Sequence, residues 1–245
     1  MEKAELNLAN NSQLKLQGNY DLEDNNYLLS AEAKDWKISN NLLSLLEEFN
    51  LEAAYIEQFK KVENDSLDFS LDTAGYYSLN RGVSSAGNFD FTFDFADKAN
   101  DFNLKSEFWY LDQKLFFNSL KFNSDFVYLD LLGEIDFASQ KLDLRYALKK
   151  FEPAVLNKNF NLKLDFLKTI NPTIEYAEGR ISDNFDNPTL SMDLKLDELS
   201  YQNYAFENID LKAVYKNDNL NLTEAKADLN QGLLRASGKI ENLSE

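Results

Sequence analysis

Phe89-Asp90-Phe91-Thr92-Phe93-Asp94-Phe95 decides the fold class. Side chains on a β-strand point to opposite faces in turn, so this stretch puts phenylalanine on one face and aspartate or threonine on the other. The same period of two recurs at Leu67, Phe69 and Leu71, at Leu142, Leu144, Tyr146 and Leu148, and at Leu162, Leu164 and Phe166. It returns at Leu190, Met192, Leu194 and Leu196, and at Ile209, Leu211, Ala213 and Tyr215. Phe102 with Leu104, and Leu220 with Leu222, extend the apolar stripe. The intervening residues are mostly Asp, Lys, Asn and Ser, as in Ser191, Asp193, Lys195 and Asp197. A sheet with one apolar and one solvated face is typical of antiparallel architecture. The expected fold is all-β.

Turns are expected where Asn and Asp cluster, because these residues tolerate left-handed backbone and bond their own chain. Such clusters are Asn10-Asn11-Ser12, Asp24-Asn25-Asn26, Asn64-Asp65-Ser66, Asp97 to Asp101, Asp183 to Asn187 and Asn217-Asp218-Asn219. The chain has only 8 Gly and 3 Pro, so Asn and Asp supply most of its punctuation. Two segments break the alternation. Leu42, Leu45, Leu46 and Phe49 recur at helical spacing behind Asn40 or Asn41 as N-cap, and Pro153 suits the first turn of a short helix through Leu156.

Phe49-Asn50-Leu51 and Phe160-Asn161-Leu162 follow these two segments, 111 residues apart, and suggest a weak internal repeat of about 1–133 and 134–245. Five glycines share one context, an apolar run interrupted by Gly: Gly18, Gly87, Gly133, Gly179 and Gly238. Gly within a strand costs stability, so this placement predicts a bend or a close backbone approach at each.

The chain has 245 residues, 42 Asp+Glu against 25 Lys+Arg, and a net charge of −17. Such a surface repels nucleic-acid phosphate, and no nucleic-acid partner is expected. There is no His and no Cys, which removes imidazole general acid–base catalysis, Ser–His and Cys–His nucleophiles, thiolate metal sites and disulfides. No catalytic residue, metal or cofactor is expected. No apolar run approaches the roughly 20 residues that span a bilayer. The pattern is already under way at Ala4-Glu5-Leu6-Asn7-Leu8 and stops just after a strand-like segment at Glu241 to Glu245, so a piece of a longer chain is expected.

The run Asn187-Pro188-Thr189-Leu190-Ser191-Met192-Asp193-Leu194 leads into Asn208-Ile209-Asp210-Leu211-Lys212-Ala213. It continues through Asp218-Asn219-Leu220-Asn221-Leu222 to Leu234-Arg235-Ala236-Ser237-Gly238-Lys239-Ile240. This succession resembles the repeat of the TamB family of translocation and assembly module proteins and its AsmA-like relatives. The leucine-rich segment near 41–49 is similar to the short helix those proteins place before a new strand set. The resemblance covers about Glu152 to Ile240 best; the sequence is unusually rich in Phe and Asn, and the family's N-terminal membrane anchor is expected to lie in parts of a longer chain outside these residues. It implies an elongated sheet curled into a taco-like groove with an apolar concave interior and one or two short helices, running through 1–245 as a single region. It also implies a periplasmic location in a protein anchored in the inner membrane. Phospholipid acyl chains would be the cargo, and an outer-membrane β-barrel a further partner, with a role in outer-membrane protein assembly.

Physical argument bears on the groove independently. At ~12 residues per strand and turn, the chain would hold about 20 strands spaced ~4.8 Å apart, and open sheets rarely exceed ~10 strands without curling or splitting. A sheet closed on itself would bury its stripe in a dry sandwich core, as in a structural or adhesin-like β-repeat module. An open one would leave an apolar strip for acyl chains, each buried methylene contributing ~0.8 kcal/mol without directional partners. Both remain open from the sequence.

Other chemistry is weak. Ser12-Gln13-Leu14-Lys15 spells a nucleophile motif that needs a helical turn but lies in an alternating stretch. Asp183, Asp186 and Asp218 lack the oxygen spacing of a calcium loop and read as turns. Asp21/Asp24 and Asp94/Asp97 are pairs expected by frequency in so acidic a chain. Trp36 and Trp109 are expected to pack against the apolar face.

Overall fold

The computed structural model describes residues 2–7, 13–37, 66–78, 82–94, 101–152, 174–201, 204–229 and 232–241. It divides into two compact units, Met1–Asp112 and Gln113–Glu245. The first holds β1 (Glu2–Asn7), β2 (Gln13–Asp21), β3 (Asn26–Lys37), β4 (Ser66–Ser78), β5 (Gly82–Asp94) and β6 (Phe102–Leu111). The second holds β7 (Lys114–Ser124), β8 (Tyr128–Asp136), β9 (Lys141–Phe151), β10 (Ile174–Asn184), β11 (Asn187–Tyr201), β12 (Tyr204–Lys216), β13 (Asn219–Leu229) and β14 (Gly232–Ile240).

Within each unit every strand pairs antiparallel with the next in sequence, a simple meander. The all-β expectation holds. Substantial contacts within a unit run only between sequence neighbours, so each described sheet is a single layer. The expected taco-like groove does not form within either unit, because the described sheet of each is neither closed nor strongly curled. Several described strands are longer than the ~12 residues per strand and turn expected from the sequence: β11 runs 15 residues and β4, β5 and β12 run 13 each, and six strands are described in the first unit and eight in the second rather than about 20 in all. No helix occurs among the described residues; the helical segments expected at 41–49 and from Pro153 lie outside them, as do Phe95, Leu162, Leu164, Phe166 and the turns at 10–12 and 97–100. The repeat boundary expected near 133 falls inside β8, whereas the compact units divide at Asp112/Gln113.

Two of the expected turns show why Asn and Asp were chosen there. Asn217 and Asp218 have φ of 51° and 56°, the pair of left-handed residues that a two-residue hairpin requires, and Asn25 has φ of 54°. Bulges re-aim the stripe elsewhere. Asp35 at φ 48° accompanies a register shift between Ala33 and Trp36, which carries Trp36 onto the apolar face opposite Leu67. A shift between Phe117 and Leu120 does the same in β7.

Among the described residues a glycine clamp occurs once in each unit. Tyr27 on β3 lies over Gly75 on β4 and points its hydroxyl at the Ser84 carbonyl on β5, 3.4 Å away. Tyr146 on β9 lies over Gly179 on β10 and donates to the Ser191 carbonyl on β11 at 3.1 Å. In both places a Cβ on the glycine would collide with the tyrosine hydroxyl and a neighbouring backbone oxygen. The close approach expected for the five glycines thus occurs at Gly179, and also at Gly87 and Gly133; Gly238 faces open space and Gly18 makes only ordinary contacts.

Candidate functional site

Strand register assembles the apolar residues into rows that cross the sheet, because residues directly opposite on antiparallel strands share a face. In the first unit one row reads Leu14, Ala33, Phe69, Phe91 and Leu104, and the next Leu16, Ala31, Leu71, Phe89 and Ser106. Leu67, Phe93 and Phe102 form a third row, with Trp36 against Phe69 at 5.8 Å between ring centroids. Phe93 and Phe102 stack at 5.3 Å and 4°, and Phe91 joins them at 6.1 Å from Phe102.

In the second unit three rows cross seven strands or more. One runs Leu120, Leu131, Tyr146, Gly179, Met192, Ala213, Leu222 and Gly238. A second runs Leu129, Leu148, Ala177, Leu194, Leu211, Ala225 and Ala236. The third runs Gly133, Leu144, Ile181, Leu190, Tyr215, Leu220 and Ile240, with Leu142 beside it opposite Ile135. Leu196 pairs with Ile209 and joins Ala177, Leu194 and Ala227 in the buried cluster, packed by Tyr146, Leu148, Ile174, Met192, Leu199, Phe206 and Leu211. Every expected stripe residue within the described set therefore lies on one face of its own unit. The sequence reading missed the contributions of β2, β3, β7 and β8, where bulges and short runs such as Phe116-Phe117 interrupt the period.

The opposite face carries the charge. Arg180 grips Asp143 with two hydrogen bonds of 2.5 and 2.6 Å, and this guanidinium holds the carboxyl below its ordinary range. Lys105 pairs with Asp90 at 2.7 Å, and Lys212 bridges Asp193 at 3.8 Å and Glu224 at 3.6 Å. Glu175 is pushed up by its hydrogen bond with Asp197. Burial raises the Tyr146 phenol, whose hydroxyl is already committed to Ser191. Asp183 accepts from Thr189 and Lys216 at the mouth of a hairpin, and Asp21 accepts the backbone N–H of Glu23 and Asp24 within a turn. No three acidic side chains converge as a metal site among the described residues. Gln13 to Lys15 are strand residues of β2.

The division of faces is incomplete in the first unit. Leu28, Ala74, Ala86 and Trp109 form a row on the acid-bearing side, so Trp109 does not pack against the apolar face as expected. A shallow open depression of about 350 Å³ takes most of its lining from that side, including Asn19, Leu28, Asp72, Ala74, Ala86 and Asn88. The residue pattern alone could not reveal this, because Ala and Leu in a polar half-period look like chance.

Ser106 is the misfit of the apolar face. Its hydroxyl is buried at 5 % exposure and has no hydrogen-bond partner among the described residues. A buried hydroxyl without a partner costs about 1–3 kcal/mol, so Ser106→Ala is expected to raise stability by about 1 kcal/mol. Urea unfolding of the variant checks the sign, and a loss of stability would mean that the hydroxyl has a partner.

Comparison with protein-family models, with curated proteins and with solved structures gave no match.

Proposed function

We propose that this chain is a non-enzymatic sheet module whose apolar face binds the acyl chains of lipids, in the manner implied by its resemblance to TamB and AsmA-like proteins. The observation that carries the reading is the set of continuous apolar rows on single-layer sheets with no second layer packed on them among the described elements. A row of Leu, Met, Ala and Phe offers no directional partner, so it would select extended apolar chains by length and area rather than by headgroup. Because the described sheet of neither unit is strongly curled, each apolar face is an open shelf rather than a deep channel, and acyl chains lie along it with their headgroups in water. On this reading the periplasm is the natural setting, phospholipid the cargo, and an outer-membrane barrel a candidate partner.

A second reading, a structural β-repeat interaction module with a dry apolar face, draws on the buried cluster of Ala177, Leu194, Leu196, Ile209 and Ala227, which already shields part of the second unit's face. Titration with a fluorescent fatty acid, together with native mass spectrometry of the purified protein, separates the two. Lipid binding predicts saturable uptake and co-purified phospholipid; lipid-free protein without uptake supports the dry module.

A further inference from the structure

We propose that the open depression on the acid-bearing side of the first unit is a binding site for a neutral oligosaccharide. It faces away from the apolar rows, so it stands independently of the lipid reading.

Register builds the depression from two rows that cross the strands. Gln17, Ser30, Asp72 and Asn88 form one wall, one residue from each of β2, β3, β4 and β5, and Glu107 on β6 continues that row. Asn19, Leu28, Ala74 and Ala86 form the other wall, and Trp109 on β6 continues it. Between the walls run Gly18, Leu29, Thr73 and Gly87. Alternation turns the Leu29 and Thr73 side chains to the opposite face, so backbone floors the depression. It holds about 350 Å³, within the range of small-ligand sites, and its four strands span about 14 Å at ~4.8 Å per strand. That is longer than a single sugar ring.

The walls differ in chemistry. The first row is wholly polar, and none of its side chains makes a hydrogen bond or ion pair with another described residue. The next row on the same face is already committed: Lys15 pairs with Glu32 at 3.7 Å, and Asp90 holds Lys105 at 2.7 Å and Asn103 at 2.6 Å. The second wall is apolar apart from Asn19. Leu28 and Trp109 stand exposed on either side of the small Ala74 and Ala86.

This pairing of walls selects the ligand. Neither wall carries a cation, and Asp72 and Glu107 repel an anion. An acyl chain would suit one wall but strip water from the amides and carboxylate of the other without replacing it. A peptide strand gains no main-chain pairing here, because the backbone beneath is already bonded in the β2–β5 ladders. A sugar ring fits both walls. Its C–H face packs on Leu28, Ala74, Ala86 and the tryptophan, while its hydroxyls donate to Asp72 and exchange hydrogen bonds with Gln17, Ser30 and Asn88.

Maltohexaose, cellohexaose and chitohexaose, each titrated against the whole chain by isothermal calorimetry, are the probes. Saturable binding of at least one is expected, weakened roughly tenfold by Asp72→Ala and by Trp109→Ala. Lys105→Ser, on the same face but outside both walls, should leave it unchanged. All three side chains are exposed, so circular dichroism should report an unchanged fold in each variant. No binding of any of the three sugars, binding that survives both alanine variants, or an equal loss in Lys105→Ser would overturn the proposal. Displacement of the sugar by dodecanoate would make the depression a lipid seat and overturn it as well.

Discussion

Gly179→Ala is expected to destabilise the protein by roughly 3 kcal/mol or more, the upper end of what overpacking costs, because the new methyl group has nowhere to go. Its Cβ would fall on the Ser191 carbonyl oxygen and within 2.8 Å of the Tyr146 hydroxyl. A side chain could rotate away, but the carbonyl belongs to the β10–β11 ladder and can move only if the pairing shifts. Truncating Tyr146 should therefore fail to rescue the variant. Gly238→Ala is the matched control: nothing lies within 4 Å of its Cβ, and alanine in a strand is expected to be neutral or stabilising by about 0.5–1 kcal/mol. Urea midpoints of the two variants measure the contrast. Equal midpoints would mean that Gly179 is not clamped.

Leu194→Arg is expected to cost about 4 kcal/mol or more, whereas Asp193→Arg should cost well under 1 kcal/mol. The two residues are neighbours in the chain but lie on opposite faces. Leu194 is 8 % exposed in the cluster with Ala177, Leu196, Ile209 and Ala227, so an arginine there buries an unpaired charge. Asp193 is solvated and loses only a 3.8 Å pair with Lys212. Chemical denaturation reads both, and similar losses at the two positions would refute the assignment of faces. Because Leu194 supports the fold itself, its replacement reports on stability. Effects on lipid binding are better read at half-exposed positions such as Leu16 and Leu29.

Strand identity and facing were legible wherever an alternating run was long and uninterrupted. Phe89 to Phe93 and Leu190 to Leu196 needed no more than the period of two, and register then made their stripes contiguous. The period failed at bulges. Trp36 reaches the apolar face only because Asp35 adopts a left-handed conformation, and Leu120 and Phe122 do so only because β7 slips after Phe117. Curvature was not legible, since it depends on how many long strands share one sheet and alternation says nothing about that number. The Tyr146–Gly179–Ser191 clamp spans three strands and 45 residues, so no local pattern announces it.

Photolabelling with a diazirine-bearing fatty acid, followed by peptide mapping, sets facing against mere exposure. Leu16 and Leu29 are 41 % and 42 % exposed on the apolar face; Leu28 and Leu132 are more open, at 58 % and 45 %, on the acid-bearing side. If acyl chains lie along the apolar rows, label concentrates at Leu16, Leu29, Leu220 and Leu222 and spares Leu28 and Leu132. Label that follows exposure, with Leu28 and Leu132 foremost, or no label at all, would contradict an apolar face built to hold lipid.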